Sequence, residues 1–465
     1  MTRIQLTELL LSPDIDEMIK KLSVSSFAVP EWTDLVKEYE PSLHKIWDTT
    51  LYPAKQNENG GDDFKRTAFG LQKLAVNRIS QALFSTPVER VYSYEENEKN
   101  KAAVEILEQL YKIDNYIDAE NLERAKKLNA ACQIVTIWKT YEEPSVVNGE
   151  TTKYKLTHKT YSEKEGYKIY TQLDENNQIL VVAIFYTVTA ENKNYCYVYI
   201  NGDKKEFRSY VKADKWVLDE SIVPNPKPLE FFPLVYTAIE SPVWGGVEGT
   251  ILVEQLEEME SFDGLYIKKN SAPTFTLDYG DVTNTTKDSK EETSSDSRRI
   301  IVVGKGGSMQ DVTWPGAGES VSKRIARIRN AFFEQVQMPD ISFANMLNSN
   351  TSAENKELLF SDAKAKAADL GGEWSKMFME EINVVKNFAK IMFPTYSAEF
   401  DAIKVRSVVH PYSVNSKKEN AEIIATAGDA MSLSTKVAFL GVVDNVQQEV
   451  ELIESANSAE ANQGL

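Results

Sequence analysis

Two long amphipathic segments separated by a short insert are the strongest constraint that this sequence places on its fold. The first, Glu248–Asn270, carries six acidic side chains, and the second, Glu319–Gln337, carries four basic ones. In both, apolar residues recur every three or four positions, which predicts helices that each bury one face. We therefore expect two helices that return to each other across a small β-rich unit.

The residues between and after these segments extend the pattern. A polar insert, Asp281–Arg299, interrupts strand-like sequence, and Ile300–Val303 with Gln310–Trp314 predicts a short hairpin. The glycine-rich turn between those strands does not have the spacing of a phosphate-binding loop. A loop with few charges, Pro339–Asn350, then leads into a predicted long helix, Thr351–Phe393, which opens with a capping-box pattern.

Helical and strand-like periodicities occur in blocks elsewhere in the chain. Most of the first 131 residues are helical in pattern, including an amphipathic helix at Phe64–Phe84. From Gln133 to Tyr236 the period changes to that of strands. Helical patterns return in the last 50 residues, after strands near Phe400–Val409. We therefore predict an α+β fold, and Gly371-Gly372 predicts a kink or a break in the long helix.

The charge balance limits the classes of partner. With 52 Lys plus Arg against 70 Asp plus Glu, the net charge is −18, whereas a protein that grips nucleic-acid phosphates is normally basic. No run approaches the ~18 apolar residues that cross a bilayer, so no membrane partner is expected. The two cysteines exclude a disulfide scaffold and a cysteine-rich zinc module.

No motif indicates an enzyme, a cofactor or a metal. The three histidines, His44, His158 and His410, are far apart in sequence, and neither a metalloprotease helix motif nor a nucleophile elbow occurs. Adjacent acids such as Glu380 and Glu381 are expected by chance in so acidic a chain and are interpreted as solvated. A carboxylate-based hydrolase built on the β-rich region 133–236 stays open as an alternative.

The opposite charges of the two amphipathic segments allow several arrangements. Glutamates and arginines pair within one chain in an ordinary helix hairpin, or pair between neighbouring copies in a ring. The residues concerned are Glu254, Glu257, Glu258, Arg324, Arg327 and Arg329.

Several segments resemble the portal proteins of tailed bacteriophages, in the order in which that family has them. Phe64–Pro87 is similar to the N-terminal helix and the turn after it, although Ser85 stands where glycine is common. Phe232–Val235 followed by Gly249–Asn270 is similar to the entry into the first stem helix.

The C-terminal half carries the rest of the resemblance. Ile300–Gly318 and then Glu319–Asp340 look like a clip strand and the second stem helix, ended by Pro-Asp. Thr351–Lys366 resembles the start of a long wing helix, with Ser352-Ala353 in place of the usual Ser-Gly. Ser432–Glu454 is similar to the crown. No piece is a strict signature, and the order and spacing of the pieces carry the resemblance.

The resemblance implies a portal-type fold assembled as a cyclic ring, with no enzymatic activity. Twelve copies are expected at one vertex of the viral head, around a channel through which double-stranded DNA enters and leaves. In such a ring, Arg324, Arg327 and Arg329 either face the channel as a ring of positive charge or pair with glutamates, and pairing is favoured. The implied regions are the wing (1–245), the first stem helix (246–270), the clip (271–317), the second stem helix (318–338), the tunnel loop (339–350), the long wing helix (351–395) and the crown (396–465).

The tunnel loop is the region that the resemblance places nearest the DNA. It is neutral apart from Asp340, which suits a lining that DNA passes without sequence specificity, because each neutralised phosphate would add affinity. In the alternative interpretation, Phe343, Met346 and Leu347 pack against the neighbouring subunit. The expected channel-facing residues are Ile341, Ser342, Phe343, Asn345, Met346 and Asn348.

The clip is the region that the resemblance makes a docking surface. Its polar insert is expected to bind the terminase large subunit and later the head–tail adaptor, or else is a surface loop without a role. Further expected partners are the major capsid protein and scaffold; the expected location is the virion portal vertex, with assembly in the host cytoplasm. Another ring-forming connector of a virion is the competing assignment. The residues assigned to docking are Lys287, Asp288, Lys290, Glu291, Glu292 and Arg298.

Overall fold

Both helices and strands make up the fold, so the predicted α+β class is confirmed as a mixed helix-and-sheet architecture. The computed structural model describes residues 3–53, 65–222, 230–270, 275–278, 300–303, 317–338, 361–410, 417–440, 449–450, 452–453 and 455.

In the described part of the chain before the main sheets lie six α-helices, one short strand and two 3₁₀ turns (Pro41–Leu43 and Lys45–Trp47). The helices and the strand are α1 (Arg3–Leu10), α2 (Ile15–Leu22), α3 (Trp32–Tyr39), α4 (Leu71–Phe84), β1 (Glu89–Ser93), α5 (Glu98–Glu108, continued by a π-helical turn to Ile113) and α6 (Ile117–Ala131). Helix α4 was predicted from Phe64 but begins at Leu71. The residues just before it are extended because their backbone N–H groups bond to another helix, as described below.

Two antiparallel sheets form the strand-rich region. The three-stranded sheet has the order β3–β2–β9, and the five-stranded sheet runs from β4 to β8 in sequence order. The strands are β2 (Gln133–Val147), β3 (Glu150–Ser162), β4 (Lys168–Leu173), β5 (Ile179–Val188), β6 (Lys193–Asn201), β7 (Lys205–Lys212), β8 (Trp216–Leu218) and β9 (Leu234–Ala238).

Each face of the five-stranded sheet is buried against a different element. On one face, Ala183 and Val198 pack with Leu6 and Met18 from the N-terminal helices. On the other, residues such as Ile184 pack with the three-stranded sheet. The alternation along β5 and β6 therefore buries apolar side chains on both sides, which explains their near-continuous apolar sequence.

The C-terminal half supplies the longest helices. Its elements are α7 (Gly246–Asn270), β10 (Phe275–Asp278), β11 (Ile300–Val303), α8 (Ala317–Gln335), α9 (Ser361–Met392), α10 (Ser397–Ala402), β12 (Lys404–Val408), α11 (Lys417–Ala427) and α12 (Leu433–Leu440). Strand β11 pairs in parallel with β10, and the predicted hairpin partner at 310–314 lies outside the described residues. Helix α9 is continuous through Gly371-Gly372, so the predicted break is wrong. Phe400 lies in α10, and the strand expected there begins only at Lys404.

A buried ion pair joins α9 to the rest of the core. Arg124 of α6 donates to both carboxylate oxygens of Glu381, at 2.7 and 3.1 Å, and both side chains are fully buried. Tyr111 (2.6 Å) and Trp138 (2.9 Å) also donate to this carboxylate. Burial favours the neutral acid, but the guanidinium and these donors outweigh it and lower the pKa of Glu381. The interpretation of Glu381 as solvated is therefore wrong.

Candidate functional site: the paired helices and their anchors

Helices α7 and α8 pack against each other along one buried face each. On α7 the buried face includes Val253 and Leu256, and on α8 it includes Ile328 and Phe332 and is continued by Val336 directly after the helix. These residues recur every three or four positions, as expected for helices that bury a single stripe. The two predicted amphipathic helices are thus present, and α7 and α8 are called the helix pair below.

The helix pair begins with a close approach of backbone to backbone. A Cβ atom at Gly249 would lie 1.9 Å from the carbonyl oxygen of Trp244 and 3.7 Å from the ring of Phe332. The chain just before α7 is held because the Trp244 indole donates to Glu38 at 3.0 Å. In the first turn of α7, position 249 therefore accepts a side chain only if the backbone shifts.

Glu257 of α7 is an internal anchor. Its Oε1 lies 2.6 Å from Nδ1 of His44 and accepts the backbone N–H of Phe69 at 2.7 Å. Nε2 of His44 lies 2.8 Å from the carbonyl oxygen of Glu38. Because a carbonyl only accepts, that nitrogen carries a proton, and a second proton lies between His44 and Glu257. Both side chains are at least 96% buried.

Neighbouring residues on the same face of α7 repeat this anchoring. Ser261 accepts the backbone N–H of Thr67 at 2.9 Å, and Glu254 pairs with Lys45 at 2.7 Å. The hydrogen bond to Glu254 is the main reason that the pKa of Lys45 is raised. The segments around residues 44 and 68 therefore lie along α7 and use its polar side chains.

These contacts change the predicted roles of the α7 glutamates. Glu257 is buried inside its own subunit, so it is corrected from a channel or inter-subunit charge to an intra-chain anchor. Glu254 is partly exposed but bonded to Lys45. Glu258 is half-buried and close enough to Tyr52 to help raise the pKa of that phenol, after burial itself.

The outer face of α8 is basic. Arg324 and Arg327 are exposed, and neither forms an ion pair with another residue in the described ranges. Lys323 instead pairs with Glu319 one turn away, with both side chains largely exposed. Arg329 is half-buried with its guanidinium over the ring of Phe333.

The outer face of α7 is partly apolar. Ile251, Phe262 and Ile267 are 45%, 49% and 56% exposed, respectively. Ile251 and Phe262 lie on the same side of the helix as Glu258, whereas Ile267 lies on another side. The helix pair thus exposes apolar side chains on one helix and cationic side chains on the other.

Lys366 joins the ends of three helices. Its Nζ, on α9, donates to the carbonyl of Val336 at the end of α8 (2.8 Å) and to the carbonyl of Val243 just before α7 (3.2 Å). Burial lowers the pKa of this ammonium to about 8. A cation at the carboxyl end of α8 also complements the helix dipole.

The other predicted site residues are not placed by the structure. The tunnel-loop set, from Ile341 to Asn348, and the clip set, from Lys287 to Arg298, lie outside the described residues. Within the described ranges, no group of three or more His, Cys, Asp or Glu side chains is arranged to hold a metal. No described helix is long and apolar enough to cross a membrane.

Sequence reasoning missed His44, Ser261 and Lys366. Each acts on a residue far away in the sequence; His44 and Glu257, for example, are 213 positions apart. No periodicity or motif links such partners. The only signal was the unusual density of polar residues on a helix that otherwise has a clear apolar stripe.

A family model matches the C-terminal part of the chain. Residues 254–463 match the family described as phage portal protein, SPP1 Gp6-like. The predicted resemblance to the portal proteins of tailed bacteriophages is thereby confirmed over these residues. The family is one of structural virion components and is not known for enzymatic activity.

The similarity to solved structures extends over most of the chain but is low. The chain is similar to a solved structure titled "Virion of native gene transfer agent (GTA) particle", at 9% identity and a TM-score of 0.37, over 92% of this chain and 99% of that chain. It is also similar to "Neck of empty GTA particle computed with C6 symmetry", at 10% identity and a TM-score of 0.32, over 88% and 95%. At these scores neither likeness carries an argument. No curated protein matches the chain.

Proposed function

We propose that the chain is the portal subunit of a tailed bacteriophage or a related particle. Twelve copies form a ring at one capsid vertex, and double-stranded DNA passes through the axial channel. The family match over residues 254–463, which include α8 and most of α7, is the observation that carries this proposal. The capsid, scaffold, terminase and head–tail adaptor are the proposed partners, in the virion and earlier in the host cytoplasm.

The proposed regions map onto the described elements. Helix α7 is the first stem helix and α8 is the second, with β10 and β11 in the clip between them. Helix α9 is the long wing helix, and the elements after Ser397 belong to the crown. Residues 339–350 are the proposed tunnel loop, and 281–299 the proposed docking insert.

Neighbouring copies are proposed to meet through unlike faces of the helix pair. In a ring built by rotation, one face of each subunit contacts a different face of the next. The exposed apolar side chains and Glu258 of α7 suit the face that Arg324 and Arg327 form on α8, because opposite charges fix register and exclude wrong partners.

The first experiment is electron microscopy of the purified chain with rotational class averages, together with light scattering. Rings with a central hole and a mass near that of twelve copies of a 52.5 kDa chain, about 630 kDa, are expected. A closed ring of another copy number still supports the portal role. A monomer or dimer at all concentrations would contradict it and lead to an activity screen for the hydrolase alternative.

The second experiment tests the contact between copies by charge reversal. Arg324→Glu is expected to reduce ring formation, and Glu258→Arg in the same chain is expected to restore it. Lys323→Glu is the matched control, because Lys323 is equally exposed but already paired within α8. If the double variant stays as defective as Arg324→Glu, the arginine faces the channel or another partner instead.

A further inference from the structure

A cavity of about 570 Å³ lies at the edge of the five-stranded sheet, where the connection between α2 and α3 runs past β4. Its walls consist of residues from the segment 23–33, the first residues of β4, and Gln133 and Glu163. Ligand sites in proteins typically have volumes of ~300–1,000 Å³. The cavity is therefore large enough for a small molecule or for a side chain of another protein. None of its described lining residues belongs to the helix pair.

The connection between α2 and α3 is fixed to the sheet on both sides of the cavity. On one side, the backbone N–H of Ser26 donates to the carbonyl of Thr171 at 2.9 Å, and the Ser26 hydroxyl accepts the N–H of Leu173 at 3.0 Å. On the other side, the N–H of Trp32 donates to Oε2 of Glu163 at 2.9 Å. Residues 27–31 thus run between two anchored points, so this wall of the cavity is formed before any ligand binds.

Aromatic rings make up much of the remaining wall. Trp32 packs on the ring of Tyr39, and Tyr170 packs edge-to-face on Phe185, each with 5.5 Å between ring centroids. Because neighbouring rings already hold them, they offer flat apolar contacts to a ligand at little ordering cost. The aromatic residues that line the cavity are Phe27, Trp32, Tyr167 and Tyr170.

Two carboxylates line the same cavity. Glu31 and Glu163 are its acidic residues, and neither forms an ion pair with another residue in the described ranges. Oε1 of Glu163 accepts the side-chain amide of Gln133 at 2.9 Å, which is a neutral donor like the N–H of Trp32. Burial is the main reason that the pKa of Glu163 is raised, and the Glu31 carboxylate raises it further. After burial, the same two carboxylates raise the pKa of Tyr170, so negative charge is concentrated beside that ring.

A cation from outside the chain would balance this charge. Lys168 also lines the cavity, but it is exposed and pairs with neither carboxylate within the described residues. A bound ammonium or guanidinium would meet the carboxylates of Glu31 and Glu163, and aromatic rings attract cations through their negative faces. Charge-assisted hydrogen bonds are also about twice as strong as neutral ones.

We propose that this cavity binds a cationic ligand, in which an amine or guanidinium is attached to an apolar or flat group. Either a free small molecule or a Lys or Arg side chain of a partner protein provides such a group. The apolar part lies against the rings, and the charged part lies between the two carboxylates. The site is independent of ring assembly, so it is testable on the full chain in any oligomeric state.

Saturation-transfer NMR with benzamidine tests the charge requirement, because this probe is a flat ring that carries a cationic amidinium. Benzamide, which has the same ring and a neutral amide, is the matched control ligand. Benzamidine is expected to bind, and benzamide about tenfold more weakly, since it lacks the charge-assisted hydrogen bonds. Equal binding of the two ligands, or no binding of benzamidine, would overturn the proposal.

Substitutions then place the binding in this cavity. Glu31→Gln keeps the size of the side chain and is expected to weaken benzamidine binding about three- to tenfold. Glu165→Gln is the matched control, because this exposed carboxylate does not line the cavity and is already paired with Lys127 at 2.8 Å. It is expected to leave binding unchanged. Equal affinities of Glu31→Gln and Glu165→Gln would place the probe elsewhere and overturn the assignment.

Glu163→Gln is a second test of the same site. The amide oxygen still accepts one hydrogen bond, but the negative charge is removed, so weakening similar to that of Glu31→Gln is expected. Circular dichroism shows whether this variant keeps its fold, and Glu31→Gln decides the outcome if it does not.

Competition against benzamidine distinguishes the two sources of the cationic group. Agmatine represents a free small molecule, and the blocked tripeptide acetyl-Ala-Arg-Ala-amide represents a side chain of a partner protein. Stronger displacement by the tripeptide supports a protein partner, and stronger displacement by agmatine supports a small molecule. Displacement by neither would overturn the proposal, because the site would then not recognise a guanidinium.

Discussion

Helix α9 and the helix pair differ in how far their polar side chains are paired and their apolar side chains are buried. On α9, Glu381 has four hydrogen bonds from three residues, and Trp374, Phe378 and Phe388 are fully buried. On α7 and α8, large apolar side chains and two arginines are exposed. The polar and apolar side chains of α9 named here therefore find their partners within their own chain.

This difference indicates which part of the subunit folds on its own and which part is completed by assembly. A fully bonded buried charge fixes one arrangement of the core but makes any loss of a partner costly. An exposed apolar and charged face costs little in the isolated subunit and becomes useful only when another surface covers it. Substitutions on α9 should therefore affect stability, and those on the outer faces of the helix pair should affect assembly.

The largest expected effect is at the buried ion pair. Arg124→Met leaves the Glu381 carboxylate buried without its partner, which should lower the free energy of unfolding by about 3–5 kcal/mol. Urea unfolding at fixed protein concentration, followed by circular dichroism, measures this. The double variant Arg124→Met with Glu381→Leu should recover most of the loss.

The matched control for that experiment is Lys390→Met, which removes a more exposed ion pair between α9 and Asp401. Its effect should be about 0–1 kcal/mol. If both single variants lose the same amount, the buried pair has no special role and the comparison fails.

The second effect is a dependence on pH at His158, which stacks on Trp138 beside the ion pair, with 4.7 Å between ring centroids. Burial, and then the Arg124 guanidinium, lower the pKa of His158 to about 4. Because the unfolded chain takes up this proton first, stability contributed by neutral His158 is present above pH 6.5 and is lost as the pH falls toward 4.

His158→Phe should remove that loss while keeping the stack. Relative to the unsubstituted chain, the variant should gain up to about 3 kcal/mol between pH 6.5 and 4, because a shift of one pKa unit corresponds to ~1.4 kcal/mol. Parallel urea titrations at several pH values measure the difference. Identical pH profiles for the two proteins would show that folding does not lower the pKa of His158.

The third prediction is that alanine has opposite effects on stability at two glycine positions of α7. Gly249→Ala should destabilise by about 1–3 kcal/mol, because the new Cβ overlaps the Trp244 carbonyl. Gly264→Ala, in the same helix with no atom within 4 Å of the added Cβ, should stabilise by about 1 kcal/mol. Thermal unfolding measures whether the two variants shift the melting temperature in opposite directions. Equal shifts would mean that the contact of position 249 with the Trp244 carbonyl does not restrict the backbone.

The smallest effect is expected at Lys366→Met. The variant leaves two carbonyls without their donor but also removes a buried charge, so the net loss at pH 7 should be about 1 kcal/mol. In the unsubstituted chain, the unfolded state keeps this proton up to a higher pH than the folded state does, so stability from this group rises between about pH 8 and 10.5. The variant should lack that rise in urea titrations.

The parts of the fold that follow local periodicity could be predicted from the sequence. The apolar stripes of α7 and α8 placed both helices within a few residues of their observed ends. The same holds for the change to strands at Gln133, where the period changes from 3.6 to 2. Local patterns specify which face of an element is buried, but not which element covers it.

Partners that are distant in sequence could not be predicted. Glu381 lies beside another acid, so its surroundings in the sequence suggest a solvated pair, yet its partner Arg124 is 257 positions away. For the same reason, Glu257 was predicted to be a surface charge like its acidic neighbours, although it is buried and lies against His44. From the sequence alone, a carboxylate that pairs with a distant donor cannot be distinguished from one that is solvated by water.

The pairing of β1 with β12 has a consequence for biosynthesis. The paired positions run from Glu89 with Val408 to Ser93 with Lys404, so 311 to 319 residues separate the partners. At the usual ~5–20 residues per second, β1 waits roughly 15–60 s after its own synthesis before its partner leaves the ribosome. During that interval an unpaired strand edge is open to wrong pairing. Premature termination before residue 404 thus leaves β1 without its partner strand. The N-terminal region can form this pair only after synthesis has passed β12.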